Sequence, residues 1–524
     1  MRLILAIAVC KILYFIGNLT GRGSSLPGKA ALLVCPGILG RIRLPETMIA
    51  VTGSNGKTST TEMIARALKA NGISVGWNHE GANQLEGVAT LLLRLASFSG
   101  SVKRGAVVFE CDERYARRIF EAVKPSAIVV TNLCRDQLTR NGHHEFIQNC
   151  VGAAIEAAGE GTTLVLNADD PYVTALAGRV STDGGLQPRE HSQTARELRF
   201  FGVSKAYADS EEQRAASRGA SRAAQHGSKP VIPPLSGYGV YDDGAFCPVC
   251  KDRMNYDYRV AAHMGAYRCG ACGHERPAPD IEASGPDPET GDVTLVFSCS
   301  GALCGGASSG GASSGVEATG GTPGSGASAG GAATGGAATG AIKTRLAFPS
   351  LTGVYNLAAA TAAATTAGVS AEDAARALSG YELKGGRALA LIVGASEGTL
   401  LISKHENSLS YNQSLAWVVG SRRPCAVVIM VDSISRKYYT SETSWLWDVN
   451  FDILADEAVQ SVVLTGRYVN ELAARFAMSA VDPGKIVCAA DPAGLRAEII
   501  NGGAGCFYAL TCFSDKAKLL KALM

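Results

Sequence analysis

Lys57 is the residue around which the chemistry of this chain is arranged. It lies in Val51-Thr52-Gly53-Ser54-Asn55-Gly56-Lys57-Thr58-Ser59-Thr60. Glycines let main-chain amides approach an anion closely, and amides at a helix N-terminus face that anion with the helix dipole behind them. Lys57 would then reach the β- and γ-phosphates of a nucleotide, and the Thr58 hydroxyl would suit Mg²⁺. Gly53, Ser54, Asn55, Gly56, Lys57, Thr58 and Ser59 are the candidate nucleotide-binding residues. The longer form of such a loop has a glycine five positions before Gly56, where this chain has Val51. Glu110 ends an apolar run and offers a hard oxygen donor, so it joins Thr58 as a candidate Mg²⁺ ligand. The plainer reading of Glu110 is a surface acid at a strand end.

A second group of residues points to a metal. Cys247-Pro248-Val249-Cys250 and Cys269-Gly270-Ala271-Cys272 are two Cys-x-x-Cys knuckles separated by eighteen residues. Four thiolates suit a closed tetrahedral Zn²⁺ site with no position open for catalysis. Redox or iron–sulfur chemistry is the alternative. The chain has 15 cysteines, an odd number scattered along its length. That argues for a reducing cytoplasm rather than a disulfide framework.

These residues need a frame. Residues 48–51 read as a strand before the loop, and residues 62–68 have helical periodicity after it. Residues 105–109 read as a buried strand ending in Glu110-Cys111-Asp112-Glu113. Two more strands, 127–130 and 163–166, end in Thr131-Asn132-Leu133 and in Asn167-Ala168-Asp169-Asp170. Strands that each end in polar residues, with helical stretches between them, predict a doubly wound α/β sheet with its site along one edge. Beyond residue 388, strands at 390–393, 400–403, 426–431, 462–464 and 506–510 alternate with helical stretches, which predicts a second Rossmann-like α/β domain.

Length and composition set the bounds. The 524 residues suffice for two or three domains, and 46% hydrophobic with 18% charged residues supports a sizeable core. The net charge of +2, from 49 basic and 47 acidic residues, does not point to nucleic acid. Residues 1–16 are apolar but broken by Arg2 and Lys11, and are expected to form a helix packed on the protein, with membrane-surface contact as the second reading and a true anchor or signal as the third. Residues 183–236 are polar and irregular, and residues 301–340 are almost entirely Gly, Ala, Ser and Thr, as in a flexible loop. The expected organisation is an N-terminal helix and link at 1–45 and a central domain at 46–346. The central domain carries the cysteine ribbon at about 238–280 and the Gly/Ala loop at about 300–341. A C-terminal domain follows at 347–524.

The shortened Thr-Gly-Ser-Asn-Gly-Lys-Thr loop resembles that of the Mur ligase superfamily, and nearly the whole chain resembles the MurT family, the Mur-ligase-like subunits of glutamine-hydrolysing lipid II isoglutaminyl synthase. The resemblance rests also on Gly21-Arg22-Gly23, Leu26-Pro27-Gly28-Lys29, Glu110 with Asp112-Glu113, Thr131-Asn132-Leu133 with Arg135-Asp136-Gln137-Leu138, the four cysteines, Gly353-Val354-Tyr355-Asn356 and Ser444-Trp445-Leu446-Trp447-Asp448. It implies a Mur ligase-type central P-loop domain with an inserted four-cysteine zinc ribbon, followed by a C-terminal Rossmann-like domain. It implies ATP, Mg²⁺ and a structural Zn²⁺. The implied reaction is ATP-dependent amidation of the D-glutamate α-carboxylate of the lipid II stem peptide, through an acyl phosphate, in peptidoglycan synthesis at the inner face of the cell membrane. Ammonia would come from a GatD-type glutaminase in a heterodimer. Lys57 and Glu110 would serve catalysis, Asn356 would sit near the adenine, and Asp448 would complete the partner's Cys-His pair. The chain departs from the family at Thr139-Arg140-Asn141-Gly142-His143 and around Lys404-His405-Glu406-Asn407-Ser408. Two other readings stay open: a Mur-type ligase that adds an amino acid, folylpolyglutamate- or cyanophycin-like, and a nucleotide-gated scaffold.

Overall fold

A computed structural model describes residues 1–524 apart from 21–23, 79–80, 137–142, 183–184, 189–195, 209–241, 286–291, 299–338, 347–349, 382–387, 422, 434–442, 490, 492–493 and 502–504. The Gly/Ala loop expected at about 300–341 and the departure at 139–142 lie almost wholly outside the described residues. The first strand, β1 (Thr47–Thr52), is hydrogen-bonded on both sides to parallel strands, β3 (Ala106–Glu110) and β4 (Ala127–Val130). β2 (Val75–Trp77) flanks β3, and β5 (Thr163–Asn167) flanks β4. The chain runs from β1 out to β2, back to β3, and then to β4 on the other side of β1. The order of connection therefore reverses at β1, and ligands of open parallel sheets bind where that happens, beyond the carboxyl ends of the strands.

Alternation along these strands divides the core in two. Ile49, Val51, Val108, Val129 and Val165 face one layer with the helix α3 (Lys57–Ala70) and the Ala-rich helix Leu351–Thr365. Met48, Ala50, Val107, Phe109, Ile128 and Val130 face the opposite layer. That second layer holds α1 (Arg2–Thr20), α2 (Leu26–Val34), α4 (Leu85–Leu95) and α5 (Ala116–Ala122). Burial on both faces explains why these strands read as continuous apolar runs. The N-terminal helix is packed on the protein, as the first sequence reading expects. Ala6, Ile7 and Cys10 are buried, and the Lys11 ammonium donates to the Arg94 carbonyl at 2.8 Å.

The sheet is wider than the sequence reading makes it. That reading has residues 183–236 irregular, yet Leu198–Val203 pairs with β5 in parallel. Ile281–Ser284 pairs with that strand in turn, and Asp292–Ser298 and Thr339–Arg345 extend the sheet antiparallel to nine strands. The Leu-Arg-Phe-Phe-Gly-Val run is short and flanked by polar residues, so its pairing is set by the exposed edge of β5 rather than by its own pattern. The helices Leu351–Thr365 and Ala371–Leu378 also belong to this first layer system, where the sequence reading begins the second domain at 347.

The second sheet begins at Ala388. Ala388–Val393 pairs antiparallel with Ser396–Ser403, which continues in parallel through Cys506–Cys512, Cys425–Met430, Val459–Thr465 and Ile486–Ala489. Ser408–Gly420 and Val469–Ala477 cover one face, and Leu495–Asn501 and Lys516–Leu523 cover the other. Within the first sheet in sequence, between Leu198–Val203 and Ile281–Ser284, Met254–Ala261 and Met264–Cys269 form an antiparallel hairpin that carries the cysteine knuckles.

Candidate functional site

The register of the sheet builds the site. Val51 lies opposite Glu110, and Thr52 lies opposite Val130, so the loop after β1, the acid ending β3 and Thr131 after β4 meet at one edge. The loop is tied to its neighbour by its own backbone. The Ser54 amide donates to the Asn132 carbonyl at 2.8 Å, and the Asn55 amide donates to Asn132 Oδ1 at 3.0 Å. Thr131 Oγ1 donates to the Asn55 carbonyl at 2.7 Å. Gly53 and Gly56 have φ of +122° and +87°. A β-carbon on Gly56 would fall 2.2 Å from Asn356 Oδ1, and one on Gly53 would fall 2.3 Å from Thr131 Oγ1. Both conformation and space therefore require glycine at these positions.

Lys57 opens α3, and its ammonium meets Glu113 Oε1 at 2.7 Å. Burial disfavours the Lys57 charge, but the Glu113 carboxylate outweighs this and raises its pKa above the ordinary lysine value. Thr58 Oγ1 donates to Glu110 Oε2 at 2.6 Å, so the two candidate Mg²⁺ ligands are already neighbours. Burial raises the Glu110 pKa, opposed by the Thr58 hydrogen bond and the Lys57 charge. A divalent cation placed between a hydroxyl and a buried carboxylate would offset the burial that raises the Glu110 pKa. The Asn55 Nδ2 donor is buried with no hydrogen-bond partner among the described residues, which fits an oxygen-rich ligand beside the loop. Asn356, expected near an adenine, accepts from Thr60 Oγ1 at 3.2 Å at the start of α3.

The sequence gives no site role to the next neighbours, although Lys404, Asn407 and Asp136 lie in stretches it names. The Lys404 ammonium follows the strand Ser396–Ser403 of the second sheet and donates to the Ser54 carbonyl at 2.7 Å. It also pairs with Asp136, whose other oxygen accepts from Asn407 Nδ2 at 3.0 Å. Burial lowers the Lys404 pKa, against the pull of Asp136. Lys404 sits just past a strand end, which is a signal of sorts, but Asp136 is 268 residues away and nothing in the sequence pairs them. Asp448 is not brought to Lys57 or Glu110. It lies on the turn Ser444–Asp448 at the border of the two domains, 3.8 Å from Arg135. Burial raises its pKa, and Arg135 opposes this. The turn is anchored by buried Trp445 against Tyr411, with ring centroids 5.0 Å apart.

The four cysteines converge. Their sulfur atoms all lie within 4.8 Å of one another, with Cys247 to Cys272 at 3.7 Å and Cys250 to Cys269 at 3.4 Å. A tetrahedron of Zn–S bonds of about 2.3 Å sets sulfurs about 3.8 Å apart, so the donors fit that ion. Backbone amides of Cys272 and Ala271 lower the Cys269 thiol to about 7, toward the thiolate a metal needs. The hairpin is fixed to the first domain by Arg276, which meets Asp169 at 2.6 Å, and by the fully buried His263, 3.2 Å from Asp170. All thirteen described cysteines are free.

Two family models match this arrangement. Residues 51–198 match the Mur ligase middle domain, and residues 405–514 match the MurT ligase C-terminal region. A subunit named MurT, of lipid II isoglutaminyl synthase (glutamine-hydrolyzing) from Staphylococcus aureus, is 24% identical over 462 residues, covering 88% of this chain and 84% of that protein. This chain is a homologue of MurT. The subunit of the same name from Streptococcus pneumoniae is 25% identical over 476 residues, 90% of this chain and 86% of that protein. The homology makes this chain a ligase with a Mur ligase fold. Among solved structures, a pseudomurein peptide ligase type C from Methanothermus fervidus shares that fold at a TM-score of 0.57 and 16% identity, covering 92% of this chain and 79% of that one. The match to the MurT C-terminal region begins at His405, directly after the lysine that touches the Ser54 carbonyl.

Proposed function

We propose that this chain is the ATP-using subunit of a lipid II isoglutaminyl synthase, amidating the α-carboxylate of D-glutamate in the stem peptide. The observation that carries the reading is the convergence of Lys57, Thr58 and Glu110 beyond the β-sheet, with Lys404 reaching in from directly before the region that matches the MurT C-terminus. A carboxylate resists attack by ammonia because oxide is a poor leaving group. Transfer of the γ-phosphoryl group from ATP to the carboxylate oxygen makes an acyl phosphate and releases ADP. Ammonia then attacks the carbonyl carbon, phosphate leaves with the C–O bond, and the nitrogen loses a proton. Gly53 to Ser59 would hold the phosphates, and Lys57 would neutralise charge developing on the transferred group. Mg²⁺ held by Thr58 and Glu110 would supply further charge compensation.

The ammonia would come from a GatD-type glutaminase bound as a heterodimer, with Asp448 orienting that partner's histidine. The relatives' names, which call each protein a subunit of a glutamine-hydrolyzing enzyme, support a partner of this kind. The C-terminal sheet is read as a Rossmann-like domain, and the substrate's lipid anchor puts the work at the inner face of the cell membrane. The decisive assay is mass spectrometry of lipid II incubated with ATP, glutamine and this chain with its co-expressed glutaminase. The expected product is lighter by about one mass unit, the exchange of a hydroxyl for an amino group, and forms only with ATP. Ligation of an amino acid instead would point to the other Mur-type reading.

The cysteine hairpin is read as a structural zinc ribbon. Metal analysis of the purified chain is expected to give about one Zn²⁺ per molecule, falling below about a tenth in Cys269→Ser with Cys272→Ser. The metal-free variant should melt several degrees lower, about the shift a few kcal/mol produces, because the hairpin packs on Asp169 and Asp170. A full complement of iron rather than zinc would overturn this reading.

A further inference from the structure

The helix α1 is long and apolar enough to cross a membrane by length and composition, yet one side of it is committed to the protein. Ala6, Ile7 and Cys10 are buried against α2 and α4, Lys11 donates to the Arg94 carbonyl, and the Arg94 guanidinium lies 4.8 Å over the Tyr14 ring. The other side is apolar and exposed. Ile4, Leu5, Ile12, Phe15, Ile16 and Leu19 are each more than half exposed. At 100° per residue these six fall within one arc of about 120°, which is a single face rather than scattered positions. The neighbouring Leu26 and Leu33, seven residues apart on α2, and Phe98 beside Lys11 are exposed as well. Large exposed apolar patches mark interaction surfaces, whereas single exposed apolar residues do not.

Charge identifies what covers this face. Residues 1–45 contain Arg2, Lys11, Arg22, Lys29, Arg41 and Arg43 and not one acidic residue. The Leu3 side chain and the Arg41 carbonyl both lie within 4 Å of the place a β-carbon on Gly100 would take, so the start of α1 adjoins the segment that carries exposed Lys103 and Arg104. An apolar helical face in a segment whose charges are all cations, with Arg2, Lys29, Arg41 and Arg43 exposed, suits the surface of an anionic lipid bilayer. We propose that α1 is an interfacial anchor that lies on an anionic phospholipid surface and does not span it. Its commitment to α2 and α4 keeps Cys10 and Lys11 within the protein, where a spanning helix would have to release them.

The test is flotation of the full chain with vesicles of phosphatidylglycerol and phosphatidylcholine, against phosphatidylcholine alone. It contains neither lipid II nor glutamine, so its failure is separate from failure of the amidation reading. Binding to the mixed vesicles is expected to be at least about tenfold tighter than to phosphatidylcholine, and to weaken with salt. Ile12→Ser with Phe15→Ser should lower it a further tenfold or so, with melting temperature and ATP binding unchanged. Alkaline carbonate should release the bound protein. Equal binding by the double variant overturns the proposal, as does resistance to carbonate, which means insertion. A shift of the wild type from dimer to monomer on making the double variant, with no vesicle binding by either, assigns the face to a second copy of the chain and overturns it too.

Discussion

Lys57→Ala is expected to abolish amidation, lowering the rate by at least about a thousandfold with either glutamine or free ammonia as nitrogen source. Lys57 stands at the start of α3 with its charge held between the loop carbonyl of Gly53 and Glu113. No other described cation sits on the same turn, and Lys404 comes from the second sheet to the Ser54 carbonyl. The substitution has a second consequence. Glu113 is about 5% exposed in its side chain and would lose its 2.7 Å partner, and an orphaned buried charge costs about 3–5 kcal/mol. Lys57→Ala with Glu113→Gln separates the two effects, since it removes the stranded carboxylate. Melting temperature should recover in that pair, while amidation stays lost. Activity within tenfold of wild type in the single variant would remove Lys57 from phosphoryl transfer.

Asp448→Asn is expected to divide the reaction. Glutamine-dependent amidation should fall by about a hundredfold or more, while amidation supplied with ammonium chloride should stay within about twofold. Asparagine keeps the shape of the side chain and the anchoring of the turn, where Asn412 Nδ2 donates to the Asp448 carbonyl at 3.3 Å. It removes the charge that would hold a partner histidine in the required tautomer. The structure supplies a competing role that the same experiment tests. Asp448 faces Arg135 at 3.8 Å, and Arg135 lies one residue before the Asp136 that Lys404 grips. If the pair acts as a latch between domains, both nitrogen sources fail together and Arg135→Gln reproduces the loss. Because burial raises the Asp448 pKa, its charge is lost at a higher pH than that of an ordinary aspartate, so glutamine-dependent activity should fall on the acid side before ammonia-dependent activity measured at constant free NH3 does.

Local chemistry made much of this legible in the sequence. A strand, two glycines with positive φ, a lysine and a helix form one contiguous stretch of chain, so their geometry follows from neighbours along the backbone. The cysteine knuckles are similar, since two short turns on one hairpin bring four sulfurs together. Apolar runs at Ala127–Val130 and Thr163–Asn167 announced strands because burial on both faces leaves no room for polar residues. The packed side of α1 was also readable, from Lys11 within an apolar stretch.

Tertiary structure alone decided the rest, because it depends on which distant groups meet. Leu198–Val203 joins the sheet on account of the free edge of β5, and its own residues carry no strong pattern. The helix Leu351–Thr365 belongs with the first sheet because its buried face, from Val354 to Ala364, packs in one cluster with α3, a partner that its Ala-rich composition does not name. Lys404 meets Ser54 across 350 residues, and Asp448 meets Arg135. Residue types and near neighbours come from the order of the chain. The charge that each buried group feels is set by partners that only the folded chain brings within a few ångströms.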